Sequence, residues 1–129
     1  MSVTPYVMVD NAKAYKEFLE RAFEAEVSNV IPLPEDPERM MHAQARIGTG
    51  VVFFADSGEG GMRCQSSPAE PVHVQLWAAM ADPEAAFARA VDAGATPAME
   101  VMDQGDGNRM GGVIDPFGTL WWLSTNTPG

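Results

Sequence analysis

The stretch Val3–Phe23, VTPYVMVDNAKAYKEFLERAF, contains the two elements from which the fold is built. Its first seven residues are rich in β-branched and aromatic side chains around Pro5, which predicts a short strand. Asp10 and Asn11 then offer N-caps for a helix whose apolar side chains recur three and four residues apart. This apolar stripe consists of Ala12, Tyr15, Phe18, Leu19, Ala22 and Phe23. The stretch therefore predicts a β-strand followed by an amphipathic helix.

Three further strands are predicted directly after this helix. The first, Val27–Leu33, is expected to end at a group of prolines, Pro32, Pro34 and Pro37. The second, Met40–Ile47, places His42 and Gln44 on one face by simple alternation. The third, Val51–Ala55, is a continuous apolar run after a glycine turn, which predicts burial on both faces.

The same order of elements returns in the second half of the chain. Residues 57–71 are rich in Gly, Ser and Pro and predict a linker, and Val72–Ala78 predicts a strand. Asp82-Pro83-Glu84 is a strong helix start, and Gly94 is a helix stop. The apolar stripe predicted for this helix is Ala86, Phe87, Ala90 and Val91. The remaining predicted strands are Thr96–Met102, Met110–Ile114 and Leu120–Ser124.

Two copies of a βαβββ unit are therefore predicted. Phe18 aligned with Phe87 gives an offset of 69 residues, which also places Ala25 on Gly94. The predicted fold is α+β, with one domain over residues 1–129 divided into module one (3–56), a linker (57–71) and module two (72–125). Two such units can join their sheets into a curved, half-open mixed barrel with the helices outside, and its concave face is the natural pocket.

Composition excludes several classes of function. The formal net charge of −10 repels phosphate backbones, so nucleic acid is not expected as a partner. No apolar run is long enough to cross a membrane, and the N-terminus does not have the pattern of a signal peptide. The single cysteine, Cys64, cannot form an internal disulfide and is interpreted as a surface residue. These features favour a cytoplasmic protein.

Several short motifs, in a fixed order, resemble one known group. They are Thr4-Pro5-Tyr6, Ala22-Phe23-Glu24-Ala25-Glu26, His42-Ala43, Ala93-Gly94-Ala95, Gly107-Asn108-Arg109, and the turn Asp115-Pro116-Phe117-Gly118 ahead of Trp121. From Val3 to Thr125 the chain resembles the glyoxalase/bleomycin-resistance/extradiol-dioxygenase (vicinal oxygen chelate) superfamily, in its PhnB-like branch. The resemblance implies paired βαβββ modules that assemble as a homodimer, with clefts that involve both chains.

The resemblance also implies where a divalent metal would be held. The family's ligand positions fall on Thr4, His73 and Trp122 of this sequence. Only His73 is a good ligand, because Thr4 binds such metals poorly and an indole has no available lone pair. The expectation is therefore that no metal is held. As an alternative, His42 and His73 share a divalent metal with a carboxylate, and His42 could equally form a structural hydrogen bond or line the pocket.

Strand alternation predicts the lining of the cleft. If the family's ligand positions face it, so do their neighbours two residues away. The candidate ligand-binding residues are Tyr6, Met8, His42, His73, Gln75, Trp77 and Trp122, with Arg109 at the rim. The lining is aromatic and apolar with a few polar groups, as in many ligand sites. The alternative interpretation is that these aromatic side chains fill an ordinary core.

Three functions remain open on the sequence. The first is a protein that binds a small, cationic or aromatic molecule by stacking and cation–π contacts, without the usual metal. The second is a metal-dependent lyase, isomerase or dioxygenase that uses His42 and His73. The third is a partner subunit with a largely filled cleft.

Overall fold

The computed structural model describes residues 4–57, 75–105 and 107–125. The first group of elements is β1 (Tyr6–Val9), α1 (Ala12–Phe23), β2 (Glu26–Leu33), β3 (Asp36–Ile47) and β4 (Gly50–Asp56). The second group is β5 (Gln75–Ala79), α2 (Pro83–Asp92), β6 (Thr96–Asp103), β7 (Arg109–Ile114) and β8 (Leu120–Ser124). The α+β class and the doubled βαβββ order are therefore confirmed.

The first unit is a four-stranded mixed sheet with α1 on one face. Its strand order is β1-β4-β3-β2, with β1 parallel to β4 and the other pairs antiparallel. Helix α1 begins where the Asn11 side chain accepts a hydrogen bond from the Ala14 amide at 3.0 Å. Its entire predicted apolar stripe is buried. Phe54 of β4 meets Tyr15 of α1 edge to face at 5.2 Å, which fixes the helix-covered face of the sheet.

The second unit repeats this topology. Its strand order is β5-β8-β7-β6, again with the first strand parallel to the last. The Asp82 side chain caps α2 by accepting from the Ala85 amide at 3.1 Å, and Gly94 follows the helix with a φ of +116°. The left-handed region favours glycine, so the predicted helix stop is confirmed.

Strand β2 ends at Leu33, directly before Pro34, as predicted. Pro32 lies inside the strand, because β2 is an edge strand with irregular pairing where a missing N–H is tolerated. Three other sequence expectations differ from the structure. Strand β3 begins earlier than predicted, at Asp36. On α2, only alanines and Pro83 are fully buried, while Val91 is 36% exposed. Strand β4 is buried mainly on its helix side, with Val51 39% exposed.

Two compact units, residues 1–71 and 72–129, divide the chain. Except for Ser57, the predicted linker (57–71) lies outside the described residues, as do the beginning of the predicted strand Val72–Ala78, His73 and Cys64. The interpretation of the whole chain as one domain stays a prediction. Within the described ranges, neither helix has the length and apolar character needed to cross a bilayer.

Candidate functional site

The sheet of the first unit has one face that α1 does not cover. Phe54 points to the helix, so its neighbour Phe53 points away from it. Tyr6 lies beside Phe53 in the register of β1 and β4, and Gln44 lies beside it in the register of β3 and β4. The first open face is formed by Tyr6, Met8, His42, Gln44 and Phe53.

Three rings meet on the first open face. The Tyr6 hydroxyl lies 2.9 Å from Nδ1 of His42, a hydrogen bond between residues 36 positions apart. The His42 and Phe53 ring centroids are 5.0 Å apart, and those of Tyr6 and Phe53 are 5.8 Å apart, both edge to face. Edge-to-face pairs at these distances are favourable. The structure thus brings the two candidate residues Tyr6 and His42 together and adds Phe53 to them.

A line of amides continues from His42 along the sheet. Nε2 of His42 lies 3.3 Å from the Gln44 amide nitrogen, and the Gln44 amide oxygen accepts from the Asn29 side chain at 2.8 Å. Asn29 sits at an irregularity of β2 with a φ of +51°, a conformation that Asn tolerates. Both ring nitrogens of His42 are therefore occupied by protein groups.

The second unit has a corresponding uncovered face. Trp121 is 2% exposed and turned to the helix side, so Trp122 points the opposite way. Trp122 donates its Nε1–H to Oε1 of Gln75 at 2.9 Å and lies beside Trp77 in the register of β5 and β8. The second open face is formed by Gln75, Trp77 and Trp122, and Trp77 is 40% exposed.

Gly112 makes room for the Trp122 ring. The two residues are opposite one another in β7 and β8. A Cβ added at Gly112 would lie 3.0 Å from Cζ3 of Trp122, closer than carbon atoms normally approach. The glycine therefore lets the indole lie over strand β7.

Arg109 is placed differently from the other candidates. Alternation along β7 puts it on the opposite face from Gly112, toward α2, where its guanidinium donates to Glu84. The hydrogen bond to Glu84 raises the pKa of Arg109 above its ordinary value, against a smaller opposing effect of desolvation. The structure thus pairs Arg109 with the N-terminal turn of α2, and its role at a ligand rim stays a prediction.

The family's metal positions are poorly suited to a metal in this chain. Thr4 is exposed and offers only a neutral hydroxyl, and the single nitrogen of Trp122 donates to Gln75. His73 lies outside the described residues. In the described part of the chain, no three His, Cys, Asp or Glu side chains gather closely enough to hold a metal ion. The donor set at these positions therefore does not fit the metal centre of the fold.

A separate hollow of about 280 Å³ lies on the helix side of the first unit. It is lined in part by Lys13, Lys16, Glu38 and Met40. Its lysines are paired: Lys13 contacts Glu38 at 3.2 Å, and Lys16 contacts Glu20 at 3.1 Å. In each of these exposed ion pairs the two charges neutralise each other, and the side chains are not directed at a common ligand position. The open faces are therefore the better candidate site.

Sequence reasoning missed Phe53, Asn29 and Gly112. The signal for Phe53 was present, because alternation in β4 separates it from Phe54, but the unbroken apolar run hid it. Asn29 carries no sequence signal, since its position depends on an irregularity in strand pairing. Gly112 is recognisable only once its register with Trp122 is known.

Comparison with known proteins decides the family. The model of the glyoxalase/bleomycin resistance protein/dioxygenase superfamily matches residues 3–123. The chain belongs to this superfamily. A relative from Mycobacterium bovis, the uncharacterized protein Mb0911c, is 34% identical over 127 residues, which cover 95% of this chain and 81% of that protein.

Solved structures with the superfamily fold are similar to this chain over nearly its whole length. TioX from Micromonospora sp. ML1 is similar with a TM-score of 0.75 and 21% identity, covering 100% of this chain and 98% of TioX. A PhnB protein from Bacillus cereus is similar with a TM-score of 0.63 and 15% identity, covering 96% and 98%. At these identities the likeness shows the fold, which is the one predicted from the ordered motifs.

Proposed function

We propose that this superfamily member binds a small aromatic or cationic molecule on its open sheet faces, without the divalent metal that the fold usually holds. The observation that carries the proposal is the Trp122–Gln75 hydrogen bond at a family ligand position. An indole there cannot coordinate a metal, but it offers a flat π surface that a planar or cationic ligand can contact.

The arrangement of the second open face supports this proposal. Trp122 is held by Gln75 and accommodated by Gly112, so little side-chain freedom remains to be lost on binding. Trp77 lies beside it with 40% of its surface exposed, which is unusual for so large an apolar side chain. A rigid aromatic surface with one adjacent amide is typical of small-molecule sites.

The charge of the chain favours a cationic or neutral ligand over an anionic one. The net charge of −10 raises the local concentration of cations and repels phosphates. The name of the superfamily includes resistance to bleomycin, so small-molecule binding is consistent with membership. We extend the proposal to a homodimeric, cytoplasmic protein that does not bind nucleic acid, on the basis of the resemblance and the charge.

A titration with N-methylacridinium tests the proposal. We expect saturable binding, followed by the probe's own fluorescence anisotropy so that removal of a Trp does not alter the signal. Trp77→Ala should raise the Kd about tenfold, because it removes a stacking and cation–π surface.

Val91→Ala is the matched control for this titration. Val91 is similarly exposed, at 36%, but lies on α2 rather than on the second open face. It should leave the Kd unchanged. No binding to the wild type, or an equal loss in Val91→Ala and Trp77→Ala, would contradict the proposal.

A further inference from the structure

The hydrogen bond between Trp122 and Gln75 has only one possible direction. An indole nitrogen carries a hydrogen and has no lone pair available, so it can only donate. The atom that faces it at 2.9 Å is therefore the Gln75 oxygen. The reversed amide, with its nitrogen toward the indole, would bring two donors together. The end of the Gln75 amide that remains for other partners is its nitrogen.

That amide nitrogen is a donor held in place at the surface. Gln75 is an exposed residue of β5, and its amide nitrogen donates to no other residue that the structure describes. The bond from the indole to the oxygen fixes the rotation of the whole planar amide. A ligand that accepts from the nitrogen therefore does not have to immobilise a freely rotating side chain.

Two tryptophan positions lie next to this amide. Gln75 and Trp77 are two residues apart on β5, so both side chains point to the second open face. Trp122 lies beside Trp77 in the register of β5 and β8, whereas Gln75 itself lies beside Leu120. The Gln75 side chain therefore runs along the sheet to reach the Trp122 indole. A hydrogen-bond donor thus lies at the edge of an aromatic surface.

Charge selects the kind of acceptor that this donor meets. None of the three residues that form the second open face is charged. A carboxylate or phosphate would gain only a neutral donor here, against the repulsion of a chain with net charge −10. The oxygen of a ketone or an amide accepts the same hydrogen bond without that repulsion.

We infer that Gln75 determines ligand specificity on the second open face by donating from its amide nitrogen to a neutral carbonyl oxygen of a planar aromatic ligand. Trp122 positions the Gln75 amide, and the rings of Trp77 and Trp122 contact the aromatic surface of the ligand. This inference rests on the proposed function and names the ligand class, an aromatic carbonyl compound.

Gln75→Glu tests the inference with two probes that share a three-ring skeleton. A Glu oxygen still accepts from the Trp122 indole, but the carboxylate has no hydrogen to donate. The Kd of N-methylacridone, which bears a carbonyl, should rise about three- to tenfold, the effect of one lost hydrogen bond. The Kd of N-methylacridinium, which has no carbonyl, should fall about threefold because the carboxylate attracts the cation. A general loss of structure would weaken both probes.

Gln104→Glu is the matched control, because it adds the same charge elsewhere in the second unit. Gln104 follows the end of β6, and its amide donates to the Met102 carbonyl at 3.1 Å. This variant should change the Kd of either probe less than twofold.

Nuclear magnetic resonance reports the two hydrogen bonds separately. The indole ¹H–¹⁵N resonance of Trp122 should keep its position in Gln75→Glu, because its acceptor is retained. In the wild type, N-methylacridone should move a side-chain amide proton of Gln75 downfield, as expected for a new hydrogen bond to the ligand.

The outcomes distinguish the inference from the proposed function. If the wild type binds neither probe, the proposed function fails and the inference fails with it. If N-methylacridinium binds and N-methylacridone does not, only the inference is wrong. The inference is also overturned if Gln75→Glu shifts both Kd values in the same direction, leaves that of N-methylacridone unchanged, or acts no differently from Gln104→Glu.

Discussion

Asp115→Ala should lower the free energy of unfolding by about 3–5 kcal/mol, because it removes the shared acceptor of one buried and two part-buried donors. Asp115 is only 3% exposed. Its Oδ1 accepts from the Phe117 and Thr119 amides at 2.9 and 3.0 Å, and its Oδ2 accepts from the indole nitrogen of Trp121 at 2.8 Å. One side chain thus holds the turn between β7 and β8 and anchors that turn to the core.

Urea unfolding followed by Trp fluorescence measures this effect, since all three Trp residues of the chain follow residue 72. Asp36→Ala is the matched control: its carboxylate accepts from the Glu38 amide at 3.3 Å on an exposed hairpin, a single weak bond among the residues that the structure describes. It should cost less than about 1 kcal/mol. Equal losses in the two variants would show that Asp115 does not organise the turn.

Phe54→Ala should lower the free energy of unfolding by about 3–5 kcal/mol. Phe54 is fully buried and packs edge to face on Tyr15, which is also fully buried. Truncation leaves a cavity between β4 and α1 that the surrounding side chains cannot fill without moving the helix. Far-UV circular dichroism in a urea series reports the loss.

The neighbouring variant Phe53→Ala tests the assignment of faces. Phe53 is half-buried on the first open face, so its truncation should cost no more than about 2 kcal/mol. The same variant should weaken binding of an aromatic ligand, which Phe54→Ala affects only through stability. If Phe53→Ala were the more destabilising of the two, the assignment of the open and covered faces of the sheet would be wrong.

Local physics made most of the fold predictable. The stripe of α1 has helical spacing and is buried as expected, and Asp82 caps α2 through its own side chain. The turn at Asp115 closes with a hydrogen bond from the Gly118 amide to the Asp115 carbonyl at 3.1 Å, as its Asp-Pro-x-Gly chemistry predicts. These features depend on residues close in sequence, where propensity and geometry agree.

The side-chain contacts that could not be predicted depend on the pairing of strands far apart in the sequence. Tyr6 and His42 were each proposed for the cleft, but their hydrogen bond depends on the registers of three strands. The ion pair of Arg109 with Glu84, across 25 residues, likewise has no local sequence signal, and the role of Arg109 at a ligand rim stays a prediction. A shift of one residue in a strand reverses the face of every side chain, so alternation alone cannot settle such positions.

The resemblance implies that Trp122 stands at one of the family's ligand positions. The structure shows the indole nitrogen of Trp122 donating to Gln75. The superfamily is confirmed, and an indole at such a position has no lone pair available for a metal. Membership therefore predicts the scaffold, and the individual side chains decide the chemistry.

The most direct test of metal-independent ligand binding is the affinity for N-methylacridinium with and without metal. The protein is prepared without a histidine tag, dialysed against a chelator, and titrated alone and after addition of Zn²⁺, Ni²⁺ or Mn²⁺. We predict saturable binding to the metal-free protein, with a Kd that changes less than twofold when metal is restored. Binding that occurs only after a metal is added would contradict the account.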